Sequence, residues 1–188
     1  CLKDILPNIS ETNFTRSVFF NLAWSGKSSI STGNIEDQFK NITLSTEAIK
    51  VASQIGCDAF IHIGSTQECY LANYLNEDWK LEKKSFENQI NYSLAKSTCR
   101  DFNKLISYLE KIDYIHCTFS VFINDDITGK GFIHSSLKSI SQGLKINNIT
   151  TNQYFDITSL EEGCKAIYLI GYKSLSRKYF YVGASCPF

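Results

Sequence analysis

Apolar runs of strand length alternate along the chain with longer stretches whose apolar residues recur every three or four positions. Ser17–Trp24 (SVFFNLAW) is a continuous apolar run stopped by Ser25-Gly26, and it predicts a strand buried on both faces. From Asn34 to Ile55 the period becomes helical, with Ile35, Phe39, Ile42, Ala48, Ile49 and Ala52 recurring at three- and four-residue steps in a drifting phase and Gly56 placed as a C-terminal cap. Ala59–Gly64 (AFIHIG) predicts a second buried strand. Strand, long helix and strand make a βαβ unit with parallel strands. Residues 67–85 read as a polar surface loop. Phe86–Leu109 predicts a second long helix with Ile90, Leu94, Phe102, Leu105, Ile106 and Leu109 on its buried face. Further strands are expected at Tyr114–Val121, Gln153–Ile157 and Lys178–Gly183, and further helices at Phe132–Gly143 and Leu160–Gly171. Residues 1–16 read as loop or a short helix. This alternation, without internal repeats, predicts an α/β fold with a doubly wound parallel sheet.

Bulk properties narrow the function. At 188 residues and 43% hydrophobic content the chain can bury one ordinary core. Net charge is zero, so no basic field is present to attract nucleic acid. No apolar run approaches the roughly 18 residues a membrane span needs, and the first residues do not form a signal peptide. The expected location is therefore the cytoplasm, away from membranes. Seven cysteines include no C-x-x-C pair, and with three histidines there is no zinc spacing, so no metal is expected. The N-x-S/T triplets at Asn8, Asn13, Asn41, Asn91 and Asn148 are read as chance matches in an Asn-rich chain. The chain has no methionine, and a fragment of a longer protein is expected.

Candidate chemistry centres on the second long helix. Tyr92 and Lys96 are four residues apart, so phenol and ammonium share one face about a turn apart. A nearby cation favours the phenolate, and such a pair can move a proton to or from a sugar hydroxyl or a ketone. In open parallel sheets the site lies beyond the carboxyl ends of the strands. Ala23-Trp24-Ser25-Gly26 and Ser65-Thr66-Gln67-Glu68 lie at two such ends. His62 and His116 sit within strands and read as packed or hydrogen-bonded residues. His134 opens a helix at the surface, Trp24 is core or pocket wall, and the Lys80–Lys84 cluster is solvated loop.

These pieces resemble, in order, the NAD-dependent nucleotide-sugar epimerase/dehydratase group of extended short-chain dehydrogenases/reductases. Asn21-Leu22-Ala23-Trp24 resembles the family's His-Leu-Ala strand end, and Asn41 matches an Asn usual in the next helix. Gly64–Tyr70 (GSTQECY) resembles the Ser/Thr strand end closing with Tyr, and Tyr92–Lys96 (YSLAK) is the Y-x-x-x-K signature. Phe119–Phe122, Phe155–Ile157 and Tyr181–Gly183 resemble later segments that meet the cofactor and sugar. The resemblance spans residues 17–185. It implies a Rossmann-like domain over 1–188, truncated at its N-terminal dinucleotide-binding half and its C-terminal substrate lobe, with the start of the substrate-binding region at about 122–188.

The implied roles are specific. Tyr92 is the acid/base, and Lys96 lowers its pKa and holds the nicotinamide ribose. Thr66 hydrogen-bonds the reacting sugar oxygen, with Ser65 as runner-up for that role and as a cofactor neighbour. Leu22, Ala23 and Asn41 lie beside the dinucleotide, which is NAD or NADP. Gln67 and Glu68 stand where the family's dehydratases place an acid pair, and Ser120 faces the substrate. A nucleotide sugar is the expected substrate and a homodimer the expected assembly. Three departures stand out: the sequence has no G-x-x-G-x-x-G turn, Phe122-Ile123-Asn124 replaces Tyr-Gly-Pro, and Cys117 stands where an Arg is usual. The expected activity is an epimerase, dehydratase or ketoreductase. The alternative is a non-catalytic α/β module that keeps the fold and binds a nucleotide, a sugar or a protein.

Overall fold

A computed structural model describes residues 16–25, 34–69, 71, 87–127, 131–146, 156–173 and 179–184. The chain forms two compact units: residues 1–118 with 174–180, and residues 119–173 with 181–188.

In the first unit, β1 (Val18–Asn21), β2 (Ala59–Ile63) and β3 (Asp113–Phe119) are parallel neighbours, and β6 (Tyr179–Val182) extends the order to β1-β2-β3-β6. The register aligns Phe19 with Phe60 and Tyr114, and, two residues on, Asn21 with His62 and His116. Side chains two apart share a face, so an apolar row is followed by a polar row on one side of the sheet. The apolar row packs on Ala48, Ile49 and Ala52 of α1 (Ile35–Gln54), with Phe19 and Phe60 stacked at 5.5 Å. The polar row meets Ser45 of α1 and, through Ser45, Asn103 of α2 (Glu87–Glu110).

Local chemistry sets the helix ends. Asn34 caps α1 by accepting the Asp37 N–H at 2.8 Å. At the other end Gly56 takes φ +76°, while Cys57 N–H bonds Ala52 C=O and Gly56 N–H bonds Ser53 C=O. That is a Schellman termination, as the glycine predicts. The α2 helix ends in a similar way without a glycine: Lys111 sits at φ 56° and Ile112 N–H returns to Ser107 C=O.

Two expectations change. The buried face of α2 is not its apolar stripe. Ser93, Ala95, Lys96, Ser97, Cys99, Asn103 and Ser107 are buried, whereas Leu94, Phe102, Leu105 and Leu109 are exposed and only Ile106 packs on the core cluster. Small and polar residues let α2 lie close beside α1 and bring Tyr92 and Lys96 round to the sheet. The third strand is also broken. Ser120 leaves the ladder, and β4 (Val121–Ile123) pairs in parallel with β5 (Ile157–Ser159) in a separate two-stranded sheet.

The second unit holds that sheet with α3 (Phe132–Ser141) and α4 (Leu160–Tyr172). Ser159 caps α4 through the Glu162 N–H, and Gly163 leaves room for the Phe122 ring. Asp156 accepts from the Tyr181 hydroxyl and from Ala184 N–H. The expected strand at Gln153–Ile157 falls partly outside the described residues; β5 begins at Ile157. The architecture is α/β and Rossmann-like. Among the described residues no helix is long and apolar enough to cross a membrane.

Lys111 supplies a stability test. An L-residue in the left-handed region costs on the order of 1 kcal/mol relative to glycine. Lys111→Gly is expected to raise the urea midpoint by a stabilisation of about 0.5–1 kcal/mol; an unchanged or lower midpoint would contradict this account of the helix end.

Candidate active site

The parallel register places the carboxyl ends of β1 and β2 side by side. Leu22 and Ala23, exposed, and Trp24, half-buried, follow β1. The next residue is fixed from α1: Asn41 accepts the Ser25 N–H and donates to the Ser25 carbonyl, both at 2.8 Å. The buried Asn41 amide thereby bonds the chain's own backbone with its oxygen and with one N–H, and it holds the loop that follows β1.

After β2 the chain turns at Gly64-Ser65-Thr66. The Ser65 hydroxyl accepts the Gln67 N–H at 3.2 Å. Of the two adjacent hydroxyls, Ser65 is the one that acts on the Tyr92 phenol, drawing its pKa down. Thr66 and Gln67 are half-buried beside it. Tyr70 lies outside the described residues. Glu68 points inward: its side chain is 1% exposed, with Oε1 accepting the Ser65 N–H at 2.8 Å and Oε2 lying 3.5 Å from Arg100 and 3.2 Å from His116. The last pair is close but off the line of a hydrogen bond. A carboxylate so enclosed does not face a substrate. Ser120 belongs to the second unit, where its hydroxyl donates to Thr158 at 2.8 Å.

Lys96 is 5% exposed. Its ammonium donates to the Ile63 carbonyl at 3.0 Å and lies 3.7 Å from the centre of the Trp24 ring, a cation–π contact. The Tyr92 ring is 5.8 Å from the same nitrogen and meets Trp24 edge-on at 5.6 Å. Burial draws the Lys96 pKa down to about 8, with Cys99 and Glu68 pulling the other way. Burial pushes the Tyr92 pKa up, the Ser65 hydroxyl eases it down, and the Glu68 charge adds to the rise. The expected depression of the Tyr92 pKa by Lys96 is therefore absent here: desolvation outweighs a cation whose own charge is spent on a carbonyl and an indole.

The histidines are packed, as their strand positions suggest. His62 is held well below its ordinary pKa by burial, aided by Lys96 and His116, and so is neutral. His116 stacks on His62 and on Tyr179, and its Nδ1 lies 3.1 Å from the Tyr114 hydroxyl. On the other flank of α2 a cavity of about 400 Å³ is lined by Arg100, Lys104, Tyr108, Tyr114, His116 and Tyr179, and does not include Tyr92 or Lys96. The described residues hold no cluster suited to a metal ion. Arg100, and its grouping with Glu68 and His116, are not legible in the sequence; only the β2–β3 register, which brings β3 beside the Glu68 turn, could have pointed to them.

No protein-family model matches the sequence, and no curated protein does. Solved structures do. A UDP-N-acetylglucosamine 4-epimerase from Bacillus cereus superposes with a TM-score of 0.70 at 11% identity, over 100% of this chain and 64% of that one. The UDP-N-acetylglucosamine 4-epimerase from Methanobrevibacter ruminantium M1, in complex with UDP-N-acetylmuramic acid, gives 0.68 at 16% identity, over 92% and 56%. A UDP-glucuronic acid 4-epimerase mutant from Bacillus cereus, in complex with NAD and UDP-4-deoxy-4-fluoro-glucuronic acid, gives 0.67 at 14% identity, over 100% and 58%. The chain thus spans between 56% and 64% of the length of these three proteins. At these identities the likeness establishes the fold, and the extended short-chain dehydrogenase/reductase resemblance holds at that level.

The Lys96 environment is directly testable. Because burial is the leading cause of its shift, Trp24→Ala, which opens the ammonium to water, is expected to raise the Lys96 pKa from about 8 toward the ordinary lysine range, the regained hydration exceeding the lost cation–π contact. NMR titration of the lysine ε-carbons would follow it. A Lys96 that titrates with the other lysines before the substitution would refute the enclosed geometry.

Proposed function

We propose that these residues form the proton-transfer half of an NAD-dependent nucleotide-sugar epimerase acting on a UDP-hexose. The observation that carries the reading is the gathering of Tyr92, Lys96 and Trp24 at the carboxyl ends of β1 and β2, with the Lys96 ammonium bonded to the Ile63 carbonyl and lying 3.7 Å from the Trp24 ring and 5.8 Å from the Tyr92 ring, in a fold shared with UDP-sugar 4-epimerases. Epimerisation is favoured over dehydration because Gln67 has no carboxylate and the Glu68 carboxylate is buried against Ser65, Arg100 and His116.

The donor set suits the nicotinamide half of NAD. The ammonium of Lys96 has three N–H donors and spends one on Ile63, so others remain for ribose hydroxyls. Exposed Leu22 and Ala23 offer an apolar shelf beside it. No glycine-rich turn occurs in this sequence to cradle the pyrophosphate. NAD, when bound, supplies the acceptor and then the donor of the sugar hydride. The chain's part is the proton. Tyr92 exchanges it between its phenolic oxygen and the sugar hydroxyl that becomes the keto oxygen, while the hydroxyls of Ser65 and Thr66 hold that oxygen in line. With its pKa raised, Tyr92 rests protonated; it gives that proton to solvent before it takes the one from the sugar hydroxyl, and in the protonated form it returns a proton to the keto sugar.

The expected result in the intact protein, given NAD and UDP-hexoses, is interconversion of C4 epimers. Tyr92→Phe should lower kcat by roughly 10²–10⁴-fold with nucleotide-sugar binding retained. Near-wild-type turnover in Tyr92→Phe would overturn the mechanism and leave a binding module as the remaining reading.

The exposed stripe on α2 belongs to the same proposal. Leu94, Phe102, Leu105 and Leu109 follow steps of eight, three and four residues, and so share one helical face that their own sheet does not cover. A second copy of the chain is the proposed occupant, because a twofold axis brings such a stripe against itself. Phe102→Glu together with Leu105→Glu should convert a dimer to a monomer in analytical ultracentrifugation; a wild-type chain that is monomeric at high concentration would rule the dimer out.

A further inference from the structure

We propose that Glu68 is a positioning residue: its carboxylate, set between Arg100 of α2 and His116 of β3, holds the Ser65 main chain and so fixes the place of the Ser65 hydroxyl relative to Tyr92. This rests on the epimerase reading only for its effect on turnover. Glu68 is joined to Ser65 twice, as its N–H donates to the Ser65 carbonyl at 3.1 Å and its Oε1 accepts the Ser65 N–H at 2.8 Å. Its Oε2 lies 3.2 Å from His116 Nε2 and 3.5 Å from the Arg100 guanidinium. Arg100 is itself held by Asp101 at 2.8 Å, and His116 by the Tyr114 hydroxyl at 3.1 Å. Gly64 makes the clamp possible, because a Cβ there would collide with both Glu68 Oε1 and His116 Nε2. A buried carboxylate needs partners of this kind, and removing them leaves an uncompensated charge.

The same charge reaches the reacting groups. The titratable or charged neighbours are Tyr92, Lys96, Cys99, Arg100 and Asp101 on α2, Tyr114 and His116 on β3, Tyr179 on β6 and Cys69 in the turn itself. Glu68 raises the pKa of both Tyr92 and Lys96. Taking its charge away therefore lowers both, so that each group loses its proton at a lower pH.

Two substitutions separate the hold on Ser65 from the charge. Glu68→Gln keeps an oxygen for the Ser65 N–H and removes the charge. Amide exchange at Ser65 should change less than threefold, while the Tyr92 phenol titration and the pH–kcat profile both move to lower pH. Glu68→Ala removes both, and Ser65 exchange should quicken by tenfold or more, with kcat falling at least tenfold and KM little changed. If Glu68→Ala does not fold, Arg100→Gln loosens the clamp from its more exposed side and should quicken Ser65 exchange by a few-fold. Amide exchange and phenol titration need no turnover. If they respond as stated while Tyr92→Phe stays active, the positioning role stands and the epimerase reading falls. If Ser65 exchange is the same in wild type, Glu68→Ala and Arg100→Gln, the positioning role is refuted whatever the activity shows.

Discussion

The Ser45 hydroxyl joins four elements of the first unit. It accepts from Asn21 of β1 at 3.2 Å and from Asn103 of α2 at 2.8 Å, and it lies 3.4 Å from His62 Nδ1 of β2, all from its own place on α1. His62 is neutral, so Nδ1 can take the Ser45 proton while the oxygen receives both amides, and the hydroxyl is used in full. Buried polar groups left unpaired are costly, which makes this node an ordering device. Each partner leads directly to the candidate site. Asn21 precedes Leu22-Ala23-Trp24, His62 precedes the Gly64-Ser65 turn, and Asn103 lies two turns beyond Lys96 on one helix.

The interior of the first unit is graded along the strands. Both helices run back against the sheet, so their beginnings lie near the strand carboxyl ends. On α1 the buried residues pass from Gln38, Asn41 and Ser45 to Ala48, Ile49, Val51 and Ala52. The sheet passes likewise from Phe60 and Tyr114 to His62 and His116. The apolar end supplies burial, and the polar end supplies groups that can be aimed. Chemistry concentrates at the second because only there is the interior wet enough in character to hold a lysine.

Much of this was legible in the chain. Apolar runs located all four strands of the main sheet within three residues at either end, and Gly56 and Gly143 marked two helix ends. Tyr92 and Lys96 announced themselves by spacing. Other features were not legible, for physical reasons. Periodicity reveals that α2 has an apolar stripe but not that its own sheet takes the opposite face. Polar residues such as Ser45 and Asn103 read as solvent-facing on a helix until their partners are known. Glu68, read as a loop carboxylate near substrate, is buried because Arg100 and His116 arrive from distant parts of the sequence. The break at Ser120 was hidden inside one unbroken apolar run, since both sheets it serves want the same residue types.

Trp24 stands on a fixed post, because Asn41 grips the residue after it at both N–H and carbonyl. Its indole therefore keeps station over a single ammonium 3.7 Å away. That makes it an intrinsic optical probe. Indole emission responds to a charge held at its ring face, so its colour and yield follow the protonation and displacement of Lys96. The chain carries only one other tryptophan, Trp79. With that residue replaced by phenylalanine, the fluorescence of the whole protein becomes a report from one lysine.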